Sequence, residues 1–72
     1  MKIEDLKIGI KSIQGTFTVE EETTGVLIKN KDKIIAYIDT CTPYKLSTDY
    51  KEFYKLPMNI KEQIMKIIIK AQ

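Results

Sequence analysis

Residues 26–39, VLIKNKDKIIAYID, carry the pattern that decides the fold. Two segments rich in β-branched residues, 26–29 and 33–39, lie on either side of Asn30, Lys31 and Asp32. β-Branched side chains favour strands, and polar runs containing Asn and Asp tolerate the left-handed backbone of a tight turn. The sequence therefore predicts a β-hairpin with residues 30–32 at its tip.

The same alternation extends outward from the hairpin, since successive strand residues point to opposite faces of a sheet. Within residues 33–39 it groups Ile34, Ala36 and Ile38 on one face, and Ile35 and Tyr37 on the other. Residues 16–20 alternate as well, so they are predicted to form a further strand. Residues 44–47 are predicted to add a short edge strand after the break at Pro43.

Helical spacing marks both ends of the chain. Near the N-terminus, Ile3, Leu6, Ile10 and Ile13 form one stripe, followed by Gly15 where a helix would stop. Gly9 costs that helix about 1 kcal/mol relative to alanine. Residues 57–70 are predicted as the final helix, with Pro57 at its first position. Residues 50–54 are predicted as a short helical turn with Tyr50, Phe53 and Tyr54 on one face.

These elements predict one α+β domain spanning residues 1–72, in the order α-β-β-β-(β)-α. An antiparallel sheet with both helices packed on one face is the arrangement expected for such a pattern. A chain of 72 residues buries only about 60% of the surface that its unfolded form exposes, which is enough for one core.

The composition excludes several classes of function. The chain has no histidine and one cysteine, Cys41, so imidazole-based catalysis, internal disulfides and the usual zinc sites are excluded. A catalytic thiolate at Cys41 would need a lysine or a helix N-terminus to activate it. We favour the interpretation that Cys41 is a small structural residue at the end of a strand. The sequence therefore predicts a protein that is not an enzyme and has no catalytic residues, cofactor or metal.

The charge and hydropathy patterns bear on location and partners. Twelve lysines against ten acidic residues give a net charge of +2, which is too small a bias to identify a nucleic-acid binder. No apolar run is long enough for a membrane span, and the acidic N-terminus does not fit a signal peptide. We therefore expect a cytoplasmic protein without a membrane partner.

The final helix supplies the main candidate for partner binding. At about 100° per residue, one apolar stripe is predicted to face the sheet, comprising Ile60, Ile64, Ile67, Ile68 and Ala71. Met58, Met65 and Ile69 form a second stripe offset by about 100°. Either the first helix covers this second stripe, or it is an exposed patch for a homodimer or another protein partner.

Two further groups of residues are candidates for binding. Tyr44, Tyr50 and Tyr54 either close the core or belong to a protein interface, where tyrosine is enriched. Lys29, Lys31 and Lys33 cluster at the hairpin tip and would contact phosphate if the protein were an accessory nucleic-acid binder, together with lysines of the last helix. No aromatic residue is interleaved with them to stack on a base, so a solvated turn is favoured.

The C-terminal half also shows a family resemblance. Ile35-Ala36-Tyr37-Ile38, Thr48-Asp49-Tyr50, Phe53 and Leu56-Pro57 precede a terminal amphipathic helix. In this respect the chain resembles small uncharacterised accessory proteins of phages and prophages of low-GC Gram-positive bacteria. The resemblance implies an accessory phage protein in the host cytoplasm, which binds a host or phage protein, for example as an inhibitor of a host defence or housekeeping system. It implies no catalytic residues.

Overall fold

The computed structural model describes residues 1–13, 15–40 and 45–72. In chain order the elements are helix α1 (Ile3–Ser12), strands β1 (Phe17–Glu21), β2 (Gly25–Asn30), β3 (Lys33–Asp39) and β4 (Lys45–Ser47), the one-turn helix α2 (Lys51–Tyr54) and helix α3 (Met58–Ala71). The strands form one antiparallel sheet in the order β1-β2-β3-β4. The predicted α+β class and order of elements are confirmed, including the short fourth strand.

One face of the sheet carries the core. The register of β2 and β3 places Ile28 opposite Ala36 and Val26 opposite Ile38, and residues directly opposite one another share a face. These side chains are buried together with residues of α1 and α3, namely Leu6, Ile10, Ile64, Ile68 and Ala71. Both long helices therefore pack on the same face of the sheet, as predicted.

The β2–β3 hairpin contains a β-bulge that the alternation pattern does not reveal. Ile28 pairs with Ala36, but the next residue, Lys29, pairs with Ile34, so Ile35 is an extra residue in β3. Ile35 is fully buried in the core beside Ala36, whereas Ile34 is partly exposed. The prediction that Ile35 lies on the face opposite to Ala36 is wrong, because a bulge residue interrupts the period of two.

The hairpin tip is a two-residue turn. Asn30 pairs with Lys33, which leaves Lys31 and Asp32 as the turn residues. Their φ angles are 52° and 68°, and positive φ at both positions is typical of a type I′ turn, whose twist matches that of the strands. Lys31 and Asp32 thus adopt the left-handed backbone that the sequence predicted for this tip, whereas Asn30 belongs to β2.

Helix α1 packs closely against α3. A Cβ atom on Gly9 would lie 2.6 Å from Cγ2 of Ile67, so the glycine permits an approach that any side chain would obstruct. The backbone N–H of Lys2 donates a hydrogen bond to the carbonyl of Ala71 at 2.6 Å and joins the ends of the two helices. Helix α1 ends at Ser12 with Ile13 as its C-cap residue, earlier than the stop predicted from Gly15.

Candidate functional site

The second stripe of α3 lies on the surface. Met58 is 67% exposed and Ile69 is 62% exposed, whereas Ile64 and Ile68 are fully buried. Met65, between Met58 and Ile69 along the stripe, is partly buried and packs against the core. The helical periodicity therefore places Met58 and Ile69 correctly outside the stripe that faces the sheet, whereas Met65 lies at the edge of the core.

Helix α1 does not cover this stripe. It packs against Ile67, the residue that Gly9 contacts, and Ile67 is about 160° around the helix from Ile69. The alternative in which the first helix buries the second stripe is therefore wrong for Met58 and Ile69. On the flank away from α1, Phe53 of α2 lines the same groove as Met58 and Ile69.

A shallow groove runs along this stripe, and the Phe53 ring of α2 lines it. Phe53 is buried, Tyr54 is exposed, and their rings meet edge to face with centroids 6.2 Å apart. The ammonium group of Lys61 lies 5.9 Å from the Phe53 ring centroid and 5.8 Å from that of Tyr54, which are cation–π distances. The groove is lined by Phe53, Met58, Lys61, Glu62, Met65, Lys66 and Ile69.

The predicted aromatic cluster does not form one surface. Tyr50 is half-buried against the core, and Phe53 is a core residue. Tyr54 is exposed, donates a hydrogen bond from its hydroxyl to Oδ1 of Asp49 at 3.4 Å, and adjoins the α3 groove through Lys61. Tyr44 lies outside the described residues. Of the tyrosines proposed for partner binding, Tyr54 is thus the one placed beside the groove.

Two of the three hairpin lysines pair with carboxylates. Nζ of Lys29 lies 2.6 Å from Glu20, and Nζ of Lys33 lies 3.4 Å from Glu52. The hydrogen bond to Glu20 is the main reason that the pKa of Lys29 is raised above its usual value. Lys31 occupies the exposed turn beside Asp32. These pairs reduce the positive charge that the tip could offer to a phosphate.

Glu52 connects the hairpin with α2. Its partial burial would raise the pKa of its carboxyl group, but the hydrogen bond from Lys55 and the charge of Lys33 outweigh that effect. The net result is that the pKa of Glu52 is lowered, so the folded protein favours its ionised form. Lys55 and Lys33 both lie 3.4 Å from Oε1 of Glu52.

The sequence had not identified Glu62 as a binding candidate, and it had included Lys61 and Lys66 only among the last-helix lysines of the nucleic-acid alternative. Helical periodicity could have placed these charged residues beside the stripe, since Glu62 is four residues after Met58 and Lys66 is four residues after Glu62. Ile8 of α1 is also 67% exposed and had not been identified from the sequence as a binding candidate, but it does not line this groove. Exposed apolar side chains are individually ordinary, whereas the residues of the α3 stripe line one groove together with the ring of Phe53.

The described residues contain no group of three or more His, Cys, Asp or Glu side chains that could hold a metal ion. Within residues 1–13, 15–40 and 45–72, no helix has the length and apolar character required to cross a bilayer. Cys41, considered above as a nucleophile, lies outside the described ranges. A scan against protein-family models and searches of curated proteins and of solved structures each found no match.

Proposed function

We propose that this chain is a non-enzymatic protein-interaction module that binds a protein partner through the groove along α3. The observation that carries the proposal is the exposure of Met58 and Ile69 at the two ends of one apolar stripe. In a domain with so small a core, continuous apolar surface beside an aromatic ring is typical of a contact site. Methionine suits such a site because its flexible side chain adapts to the partner.

The chemistry of the groove supports binding rather than catalysis. Its lining offers apolar side chains, the ammonium groups of Lys61 and Lys66, and one carboxylate, Glu62. The ammonium group of Lys61 lies over the Phe53 and Tyr54 rings, which gives its charge a favourable contact within the protein. Such a surface recognises another protein by apolar anchors with charges at the rim.

The biological setting is part of the same proposal. We expect an accessory phage protein that acts in the host cytoplasm on a host or phage protein, for instance as an inhibitor of a defence or housekeeping system. The support for this setting is the resemblance of the C-terminal half to small phage and prophage proteins. The nucleic-acid alternative has less support, because Lys29 and Lys33 already pair with Glu20 and Glu52.

Co-purification tests the proposal. The tagged protein, the variant Met58→Gln/Ile69→Gln and the control Ile8→Gln are incubated with lysate of a low-GC Gram-positive bacterium and the bound proteins quantified by mass spectrometry. Glutamine keeps helix propensity and charge while removing apolar area. We expect the double variant to lose at least about 90% of a specific partner, a loss of about 1.4 kcal/mol, and the Ile8→Gln control to retain it. Equal recovery with all three proteins contradicts the proposal.

A salt titration separates the nucleic-acid alternative. Binding through phosphates weakens steeply between about 50 and 200 mM salt, whereas an apolar contact does not. Replacing Lys29, Lys31 and Lys33 with glutamine should leave partner recovery unchanged if the α3 groove is the site. Loss of binding in that triple variant, together with steep salt dependence, would favour the nucleic-acid function.

A further inference from the structure

We infer that the occupant of the α3 groove is a second copy of this chain, whose α3 packs antiparallel to the first about a two-fold axis near Ile64. This inference rests on the proposed function, because it uses the same groove and names the partner. Three features carry it: the spacing of the groove residues, the position of the two-fold axis that this spacing implies, and two charged side chains with no ion-pair partner within the described part of the chain.

The spacing is that of a helix that packs lengthwise on another helix. Met58, Glu62, Met65 and Ile69 line the groove and follow one another at intervals of four, three and four residues. This alternation of four and three keeps side chains on the seam between two helices. A partner helix running along α3 therefore meets all four positions, whereas a partner that crosses α3 steeply meets only part of them.

The stripe is self-complementary about one point. In a two-fold dimer, when one residue contacts a second, the second contacts the first across the axis. An axis that pairs Met58 with Ile69 of the second copy passes between Gln63 and Ile64, the midpoint of the two positions. The midpoint of Glu62 and Lys66 falls at Ile64. The two midpoints differ by half a residue, which is about 0.75 Å along α3. Antiparallel packing near this level therefore brings the apolar ends together and the opposite charges within side-chain reach of each other.

The charges along the groove agree with that register. The ion pairs within residues 1–13, 15–40 and 45–72 join Lys7, Lys29, Lys33 and Lys55 to glutamates, and none includes Glu62 or Lys66. Antiparallel packing gives Glu62 a partner in Lys66 of the second copy, and symmetry repeats the pair. Parallel packing would bring equal positions to the same level, so Glu62 would not lie level with Lys66 of the second copy.

The size of the stripe sets the expected strength. From Met58 to Ile69 it is about 17 Å long at 1.5 Å per residue, and one helix is about 10 Å wide. This strip is smaller than the roughly 800 Å² per partner found in stable interfaces. We therefore expect a weak, reversible dimer, which a partner with a larger contact area could displace.

Analytical ultracentrifugation of charge-reversal variants tests the inference, over about 10 μM to 1 mM protein. The parent should show a concentration-dependent monomer–dimer equilibrium. Glu62→Lys places lysines opposite one another in the homodimer, and Lys66→Glu places glutamates opposite one another, so each variant alone should dimerise at least about tenfold more weakly. An equimolar mixture of the two restores both opposite-charge pairs, and the heterodimer should form with the affinity of the parent.

Circular dichroism of each variant checks that α3 is intact, and Met58→Gln/Ile69→Gln serves as a second variant that must also weaken the dimer. A parent that stays monomeric at about 1 mM overturns the inference. So does a dimer that tolerates both charge reversals, or a mixture of the two that fails to associate. If the dimer is absent but the lysate experiment recovers another protein that depends on Met58 and Ile69, the proposed function stands and the homodimer is refuted. If neither self-association nor partner recovery depends on these residues, the homodimer and the proposed function are both refuted.

Discussion

Replacing Gly9 with alanine should not stabilise this protein, although alanine is the better helix former by about 1 kcal/mol. The new methyl group would lie 2.6 Å from Cγ2, 3.2 Å from Cγ1 and 3.4 Å from Cβ of Ile67. All three atoms belong to one half-buried, β-branched side chain, which is nearly confined to one rotamer in a helix. Ile67 therefore cannot swing aside, and α1 and α3 must move apart instead.

The expected magnitude follows from two opposing terms. Overpacking of this kind costs about 1–3 kcal/mol, while the gain in helix propensity returns about 1 kcal/mol. Gly9→Ala should therefore lower the free energy of unfolding by about 0–2 kcal/mol. In an Ile67→Ala background the obstruction is gone, and the same substitution should raise the free energy of unfolding by about 1 kcal/mol. The sign of the effect thus depends on Ile67.

Urea denaturation of the four proteins in this double-mutant cycle measures both terms. A coupling energy between the two substitutions of about 1–3 kcal/mol is expected, with equal m values throughout. Two results would refute the reasoning. One is stabilisation of the parent by Gly9→Ala, and the other is additivity of the two substitutions within about 0.5 kcal/mol. Either would mean that the glycine does not determine the approach of α1 to α3.

Three further predictions follow from burial and charge. Phe53→Ala should lower the free energy of unfolding by about 3–5 kcal/mol because it removes a ring from the core. Tyr54→Ala should lower it much less because that ring is exposed, and equal losses in urea denaturation would contradict the placement of Phe53 in the core. Ile64→Lys should unfold the domain, as measured by circular dichroism, because it places a charge at a fully buried position. The control Met58→Lys, at an exposed position, should leave the spectrum unchanged. A folded Ile64→Lys protein would contradict the burial of Ile64 in the core. The pKa of Glu52 is lowered by folding, so its stabilising contribution is complete above its unfolded pKa of about 4.3 and is lost as pH falls through the lower folded value. The stability difference between the parent and Glu52→Gln should therefore shrink between about pH 7 and pH 3, and a difference that stays constant with pH would contradict the lowered pKa.

The features that the sequence predicted correctly are those that depend on local pattern. The hairpin follows from two β-branched segments around Asn30, Lys31 and Asp32, and the stripes of α3 follow from a period of 3.6 residues. The fourth strand followed from the break at Pro43 and a short segment after it. Each of these signals lies within a window of at most 14 residues, where backbone geometry decides which side chains share a face.

The features that the sequence did not predict depend on contacts between distant segments. The bulge at Ile35 appears only when β3 is paired with β2, because it is a mismatch between two strands. Gly9 is unfavourable for an isolated helix, and the reason for a glycine at this position is its contact with Ile67 of α3. Lys29 and Lys33 suggested a basic tip, but their partners Glu20 and Glu52 lie elsewhere in the chain. Pairings of this kind are not encoded in local spacing.

The exposure of the α3 stripe follows from the same distant contacts. The apolar surface of α3 is too broad for one sheet face, so its neighbours decide which part remains in water. Because Gly9 has no side chain, α1 can pack closely against the flank of α3 that carries Ile67. On the opposite flank, the neighbouring helix α2 has only four residues. A helix of one turn provides the Phe53 and Tyr54 rings but cannot extend along α3 from Met58 to Ile69, which is about three turns. The close approach of α1 therefore covers one side of α3, and Met58 and Ile69 on the other side remain exposed.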